Sequence, residues 1–89
     1  REVRNTRELD EALEYGAEAI LLDNMTPDQV REAVVRIKTE KQWIPTEASG
    51  GIVLENIRGY AETGVDFISV GALTHSARAA DISMSITAE

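Results

Sequence analysis

Apolar and polar positions along this chain alternate between two periods. Leu9, Ala12 and Leu13 recur at helical spacing, behind Asn5 or Thr6, either of which can cap a helix start with Glu8 in the first turn. Gly16 follows as a left-handed stop. Ala19, Ile20, Leu21 and Leu22 then make a short unbroken apolar run up to Asp23, which predicts a strand buried on both faces. Thr26, Pro27 and Gln29 predict a second helix start, and Val30, Ala33, Val34 and Ile37 are its inward stripe. After a polar loop holding Glu40 and Lys41, Trp43 and Ile44 lead a strand towards Ala48. Pro45 cannot donate to a ladder, so that strand is expected to be irregular or to start late. A third helix is predicted over 53–63, with Leu54, Ile57 and Ala61 inward, weakened by Gly59 and closed by Gly64. Val65, Phe67, Ile68 and Val70 form another strand ending at Gly71, and the tail from Ser76 onward, with Ile82, Met84 and Ile86, reads as a short helix and a closing segment.

The units echo each other. Glu14–Asp23 resembles Glu62–Gly71 at an offset of 48 residues, the length of two strand–helix units. Strands alternating with helices at this pitch mean parallel strands joined by right-handed crossovers. A constant pitch favours a (β/α) barrel over an open doubly wound sheet. In either architecture these few units leave sheet edges bare. The missing strands are expected from sequence upstream or from a partner chain. Alone, the chain is expected to dimerise, aggregate or stay molten.

Composition narrows the class. Eighty-nine residues, 43% apolar and 28% charged, make one domain or part of one. There is no cysteine, so disulfides, thiolate zinc sites and a cysteine nucleophile are excluded. No apolar run reaches the roughly 20 residues of a membrane span, so no membrane partner is expected. The net charge of −7 is interspersed and argues against nucleic acid, which needs clustered Lys and Arg. A cytoplasmic location is expected.

Two groups of residues carry candidate chemistry. Ser49, Gly50 and Gly51 stand directly between a strand and a helix, where glycines let backbone N–H groups approach an anion and the helix start adds its positive dipole end. A plain Gly-rich turn has the same composition. The next strand tip, Gly71 to Ser76, holds a second set of small residues with His75, the only histidine. In (β/α) barrels a phosphate commonly sits between loops of two consecutive late strands. Ser49, Gly50, Gly51 and Gly71 are therefore expected to bind phosphate, with His75 as a donor or simply as a packed histidine. The second group is acidic. Glu2 and Asp23 lie 21 residues apart, about one strand–helix unit, each at the end of a strand. Adjacent strands in register would bring both carboxylates to the rim of the phosphate loops. There they suit Mg²⁺ or ribose hydroxyls. Asp23 beside Asn24 also suits a simple strand-end cap, and Glu2 lies at a terminus.

Leu21-Leu22-Asp23-Asn24-Met25, Glu47-Ala48-Ser49-Gly50-Gly51-Ile52 with Glu55-Asn56-Ile57, and Glu62-Thr63-Gly64-Val65-Asp66 with Val70-Gly71-Ala72-Leu73-Thr74-His75-Ser76 together resemble the quinolinate phosphoribosyltransferase family. The resemblance runs over essentially the whole chain. It implies the C-terminal βα units of an open, TIM-like (β/α) barrel, 1–89 being part of that domain. The N-terminal α/β sandwich and first barrel strands lie outside it. It further implies conversion of quinolinate and phosphoribosyl pyrophosphate to nicotinate mononucleotide, pyrophosphate and carbon dioxide, in NAD synthesis, with Mg²⁺ and as a homodimer or larger homo-oligomer. By the same resemblance Glu2 and Asp23 are catalytic and line the ribose and metal region. Ser49, Gly50, Gly51 and Gly71 hold the 5′-phosphate, with His75 nearby. The family's basic cluster for quinolinate's carboxylates lies upstream of this stretch. Val53 stands where a Ser or Thr cap is usual, and Pro45 and Thr46 where aliphatic residues are usual. The alternatives are a self-associating barrel fragment that at most binds phosphate, and a molybdenum-transport accessory protein of the same fold.

Overall fold

Both long helices begin where their capping residues stand. Asn5 accepts from the Glu8 N–H at 2.9 Å and opens α1 (Thr6–Tyr15), which Gly16 ends at φ 82°. Thr26 and Gln29 form a reciprocal capping box at the start of α2 (Pro27–Lys41). The computed structural model describes residues 1–70 and 77–82. Within them the remaining elements are β1 (Glu2–Val3), β2 (Ile20–Asp23), β3 (Thr46–Ser49), α3 (Ile57–Ala61), β4 (Phe67–Ile68) and β5 (Ala77–Arg78). Residues 79–82 are helical.

The strands form one sheet in the order β1-β2-β3-β4-β5, parallel as far as β4. A sheet whose spatial order equals its chain order never reverses direction of growth, unlike a doubly wound sheet. With right-handed crossovers, its helices pack on one face, as on the outside of a barrel. Alternation along the strands agrees. Val3, Ile20, Leu22, Thr46, Ala48 and Ile68 are buried beneath the helices, against Leu9, Ala12 and Leu13 of α1 and Val30, Ala33, Val34 and Ile37 of α2. Glu2 is exposed, and Leu21, Asp23, Glu47, Ser49 and Phe67 on the opposite face are half-buried. The expectation that the Ala19–Leu22 run is buried on both faces is thus corrected. Among the described residues one face of the sheet is covered and the other is open.

One further expectation holds and two change. The strand after Trp43 starts at Thr46, as Pro45 requires; Trp43 itself is 64% exposed, while the Pro45 carbonyl accepts from the Ile20 N–H at 3.0 Å. The third helix covers Ile57–Ala61 rather than 53–63, and Leu54, expected inward, is 80% exposed. The cause is Asn56, whose Oδ1 accepts from the Val53 N–H at 2.8 Å and whose Nδ2 donates to the Gly51 carbonyl at 3.0 Å. That local side-chain pairing satisfies the backbone in a turn instead of a helix. Gly59 has a packing reason, since a Cβ there would stand 3.3 Å from Pro27 Cγ. Finally, β5 pairs antiparallel with β4, which the all-parallel expectation did not contain. Only eight residues separate Ile68 from Ala77, fewer than the dozen a parallel crossover needs. Gly71, His75, Ser76, Met84 and Ile86 lie outside the described residues.

The lower end of the sheet is closed by Asp66. Its Oδ2 accepts from Lys38 Nζ at 2.9 Å, the Thr46 N–H at 2.8 Å and Thr46 Oγ1 at 3.0 Å, while Lys38 also donates to the Ile44 carbonyl at 2.7 Å. One carboxylate therefore ties α2, the entry to β3 and the entry to β4. Its partial burial by itself would raise its pKa, but the hydrogen bonds from Lys38 and Thr46 and the Lys38 charge outweigh that and hold it below the ordinary carboxylate value. A carboxyl whose pKa is depressed on folding contributes stability that is complete above the unfolded value near 4 and disappears as pH falls through the lower folded value. Urea midpoints of the whole protein should accordingly fall as pH drops below about 4, and less steeply in Asp66→Asn. At neutral pH Asp66→Asn should cost about 1 kcal/mol, the low end for a charge-assisted pair because the side chain is 38% exposed. A neutral-pH midpoint that does not move in the variant would show the clamp to be idle.

Candidate functional site

The register of β2 on β3 places Asp23 directly opposite Ser49. Both close their strands, and both point to the face that the helices leave open. Ser49 Oγ donates to Asp23 Oδ1 at 3.3 Å, and the Asn24 N–H donates to the Ser49 carbonyl at 2.9 Å. Asn24 adopts φ 57°, a left-handed conformation that Asn tolerates better than most residues, and so turns the chain sharply away after Asp23. On the far side of that turn the Met25 carbonyl accepts from the buried Tyr60 hydroxyl at 2.7 Å. The tip of β2 is therefore held from β3 and from α3 at once.

Gly50 explains why the loop after Ser49 is glycine. At φ 85° an added Cβ would lie 2.8 Å from Asp23 Oδ1 and 2.8 Å from the Asn24 nitrogen. Its role is thus to let β3's loop press against the carboxylate of β2. Gly51, at φ 71°, has nothing within 4 Å of an added Cβ and is exposed. This side of the loop has room for a ligand to approach the main chain. Ile52, 1% exposed, anchors the loop in the core, and Asn56 holds the Gly51 carbonyl. The expected helix-dipole contribution is not supported. α3 begins at Ile57 and is only five residues long, so it aims no substantial dipole at Ser49–Gly51.

Glu2 is placed differently from the expectation. It opens β1 and pairs with Leu21, two residues before Asp23. Because alternate strand residues share a face, Glu2 and Asp23 do lie on the same open face, but one pleat repeat of about 7 Å apart along the strands. Arg4, to which the sequence reading gave no role, spans that step. Its Nη2 donates to Glu2 Oε1 at 2.6 Å, and its Nε lies 3.5 Å from Asp23 Oδ2. Glu47 was likewise missed. It pairs with Leu21 and Phe67 on the same open face. The signal for both was period-two alternation, which becomes usable only once the register is known. Among the described residues no three His, Asp or Glu side chains gather as a metal site. Two carboxylates on one face nevertheless suit Mg²⁺, which takes one or two protein carboxylates and fills the rest with water or phosphate oxygens. Of the expected site residues, Asp23, Ser49, Gly50 and Gly51 come together, Glu2 joins them through Arg4, and Gly71 and His75 lie outside the described residues.

A family model described as quinolinate phosphoribosyl transferase, C-terminal domain, matches residues 2–85. The chain is 45% identical over 86 residues to a Bacillus subtilis protein named probable carboxylating nicotinate-nucleotide pyrophosphorylase; the match takes in 97% of this chain and 29% of that one. It is 48% identical over 90 residues to a Methanocaldococcus jannaschii protein of the same name, covering 96% and 31%. Its fold superposes on the crystal structure of nicotinate-nucleotide pyrophosphorylase from Ehrlichia chaffeensis with a TM-score of 0.71 and 35% identity, over 83% of this chain and 26% of the other. The chain thus spans less than a third of the length of these relatives. No helix among the described residues is long and apolar enough to cross a membrane.

The two glycines separate by their surroundings. Gly50→Ala should destabilise by about 2 kcal/mol or more, because positive φ and a backbone clash add, whereas Gly51→Ala should cost about 1 kcal/mol from φ alone. Urea denaturation of both variants in the whole protein measures the difference. Equal losses would mean that Gly50 does not press on the tip of β2.

Proposed function

The chain belongs to the quinolinate phosphoribosyltransferase family, as its C-terminal domain, and from that premise we propose that it supplies the phosphate, ribose and metal side of an enzyme active site. The reaction is transfer of a phosphoribosyl group from phosphoribosyl pyrophosphate to quinolinate, releasing pyrophosphate and carbon dioxide and yielding nicotinate mononucleotide for NAD synthesis. The observation that carries this reading is the contact of Ser49 and Gly50 with Asp23, which makes an acidic group and an anion-compatible glycine loop a single site. The names of the relatives support it. The remaining barrel strands, an N-terminal sandwich and the basic pocket for quinolinate belong to sequence upstream. The whole protein acts as a cytoplasmic homodimer or larger homo-oligomer and needs neither nucleic acid nor membrane.

In this reading Ser49, Gly50 and Gly51, with Gly71 and His75, hold the 5′-phosphate. Glu2 and Asp23 hold Mg²⁺ or the ribose hydroxyls. Mg²⁺, when bound, stabilises the negative charge that gathers on the departing pyrophosphate. As the anomeric carbon loses its leaving group it gains positive character, and Asp23 and Glu2 on the open face favour that charge. No general base is required, because the ring nitrogen of quinolinate carries its own lone pair. Fixed carboxylates reorganise little during the step. That fits the several bonds that hold the β2 tip in place.

Two outcomes follow for the full-length enzyme. Asp23→Asn should lower turnover by about two to three orders of magnitude, the usual cost of losing one preorganised electrostatic group. Its affinity for quinolinate, measured by calorimetry without the second substrate, should barely change. Normal turnover, or a loss confined to quinolinate binding, would reduce Asp23 to a strand-end cap. Gly50→Val should abolish binding of ribose 5-phosphate, and an unchanged titration would remove the phosphate assignment from this loop.

A further inference from the structure

We propose that Arg4 is a positioning residue that sits in the cation's place between Glu2 and Asp23 and sets how tightly this pair takes a divalent metal ion. The inference rests on the reading of those two carboxylates as the metal side of the site. Arg4 Nη2 lies 2.6 Å from Glu2 Oε1 and Arg4 Nε lies 3.5 Å from Asp23 Oδ2, so a single guanidinium contacts one oxygen of each acid. The reach is a consequence of register. Val3 pairs with Leu22, and the next residue on β1's strand line, Arg4, falls beside Asp23. The main chain there is fixed, because the Arg4 N–H donates to Glu8 Oε1 at 2.7 Å and the next residue, Asn5, caps α1. The backbone is held there, while the side chain is 57% exposed.

The energetics favour a counter-ion that can be displaced. The side chains of Arg4 and Glu2 are 57% and 48% exposed, and that of Asp23 is 25% exposed. Ion pairs so open to water hold weakly. A divalent ion bound through either oxygen of these acids lies next to the guanidinium, and the two positive charges repel. Before the metal arrives, Arg4 offsets one of the two negative charges and steadies both acids on the open face. When a divalent cation binds, the charge of Arg4 stands beside it and opposes it. A guanidinium at this rim is also placed to receive a phosphate oxygen. Arg4 therefore weakens the binding of metal alone. This makes the site prefer a cation delivered together with a diphosphate over the free ion.

The test is a titration of the full-length protein with Mn²⁺ alone, as a paramagnetic stand-in for Mg²⁺, reading free ion by electron paramagnetic resonance. Arg4→Gln should tighten Mn²⁺ binding about thirtyfold, the worth of one unit charge acting on a divalent ion at roughly 4 Å in water. Arg4→Lys, which keeps the charge, should stay close to wild type. Asp23→Asn should weaken binding. The sign is diagnostic, because a purely structural Arg4 would weaken metal binding when removed. If Arg4→Gln leaves affinity unchanged or lowers it while Asp23→Asn weakens it, the role of Arg4 is overturned and the carboxylates remain the metal side. If Asp23→Asn has no effect, the assignment of the carboxylates fails and takes the role of Arg4 with it.

Discussion

The pairing of β2 with β3 is the constraint from which the rest of this molecule follows. Four register pairs, from Ile20 with Thr46 to Asp23 with Ser49, are the longest ladder in the sheet. A shift by one residue would exchange the faces of every side chain on one strand. If that strand were β2, Ile20 and Leu22 would leave the helices and Asp23 would be buried beneath them without partners. The burial of Ile20 and Leu22 under α1 and α2 therefore holds Asp23 on the open face as firmly as any bond that Asp23 makes itself. In this way core packing is converted directly into site geometry.

The two ends of that ladder are built for different purposes. At the entry, Asp66 joins Lys38 and Thr46 in a compact set of charge-assisted hydrogen bonds whose members are all satisfied. At the exit, the groups are half-exposed, two glycines and Asn24 take positive φ, and carboxylates gather on one face with a single guanidinium between them. Backbone strain and unneutralised charge are thus concentrated where the strands end. This is the division expected of a (β/α) barrel, with stability on the side where strands begin and chemistry on the side where they finish. The Tyr60 hydroxyl on the Met25 carbonyl is the link that carries rigidity from the helical layer into the exit rim.

Much of this was legible from residue order alone. The capping residues Asn5 and Thr26, the stop at Gly16 and the inward stripe of α2 depend on contacts within four residues, and local chemistry decides them. Ser49-Gly50-Gly51 and Asp23 were recognisable as a candidate site because they fall at the tips of successive strands, where barrel chemistry gathers, although composition alone left a plain turn and a strand-end cap open. Leu54 was misplaced because a helical period runs through 54, 57 and 61, yet Asn56 offers the backbone a competing turn. Gly50 was assigned for its openness to an anion, whereas its tightest neighbours are the Asn24 nitrogen and the carboxylate of Asp23.

By itself the sequence determined the alternation of helices and strands, the parallel sense of the first four strands and the family to which the chain belongs, because each rests on short-range periodicity or on motifs read in order. Tertiary structure alone decided which residues meet. Arg4 stands two positions from Glu2 in sequence, but its approach to Asp23 exists only through the pairing of β1 with β2. Glu47 reaches the open face for the same reason, and β5 turns back antiparallel because the connection is too short to cross over. The physical reason is common to all three. Strand pairing is a contact between distant segments, and its register is chosen by the burial of the opposite face, which no local stretch of sequence specifies.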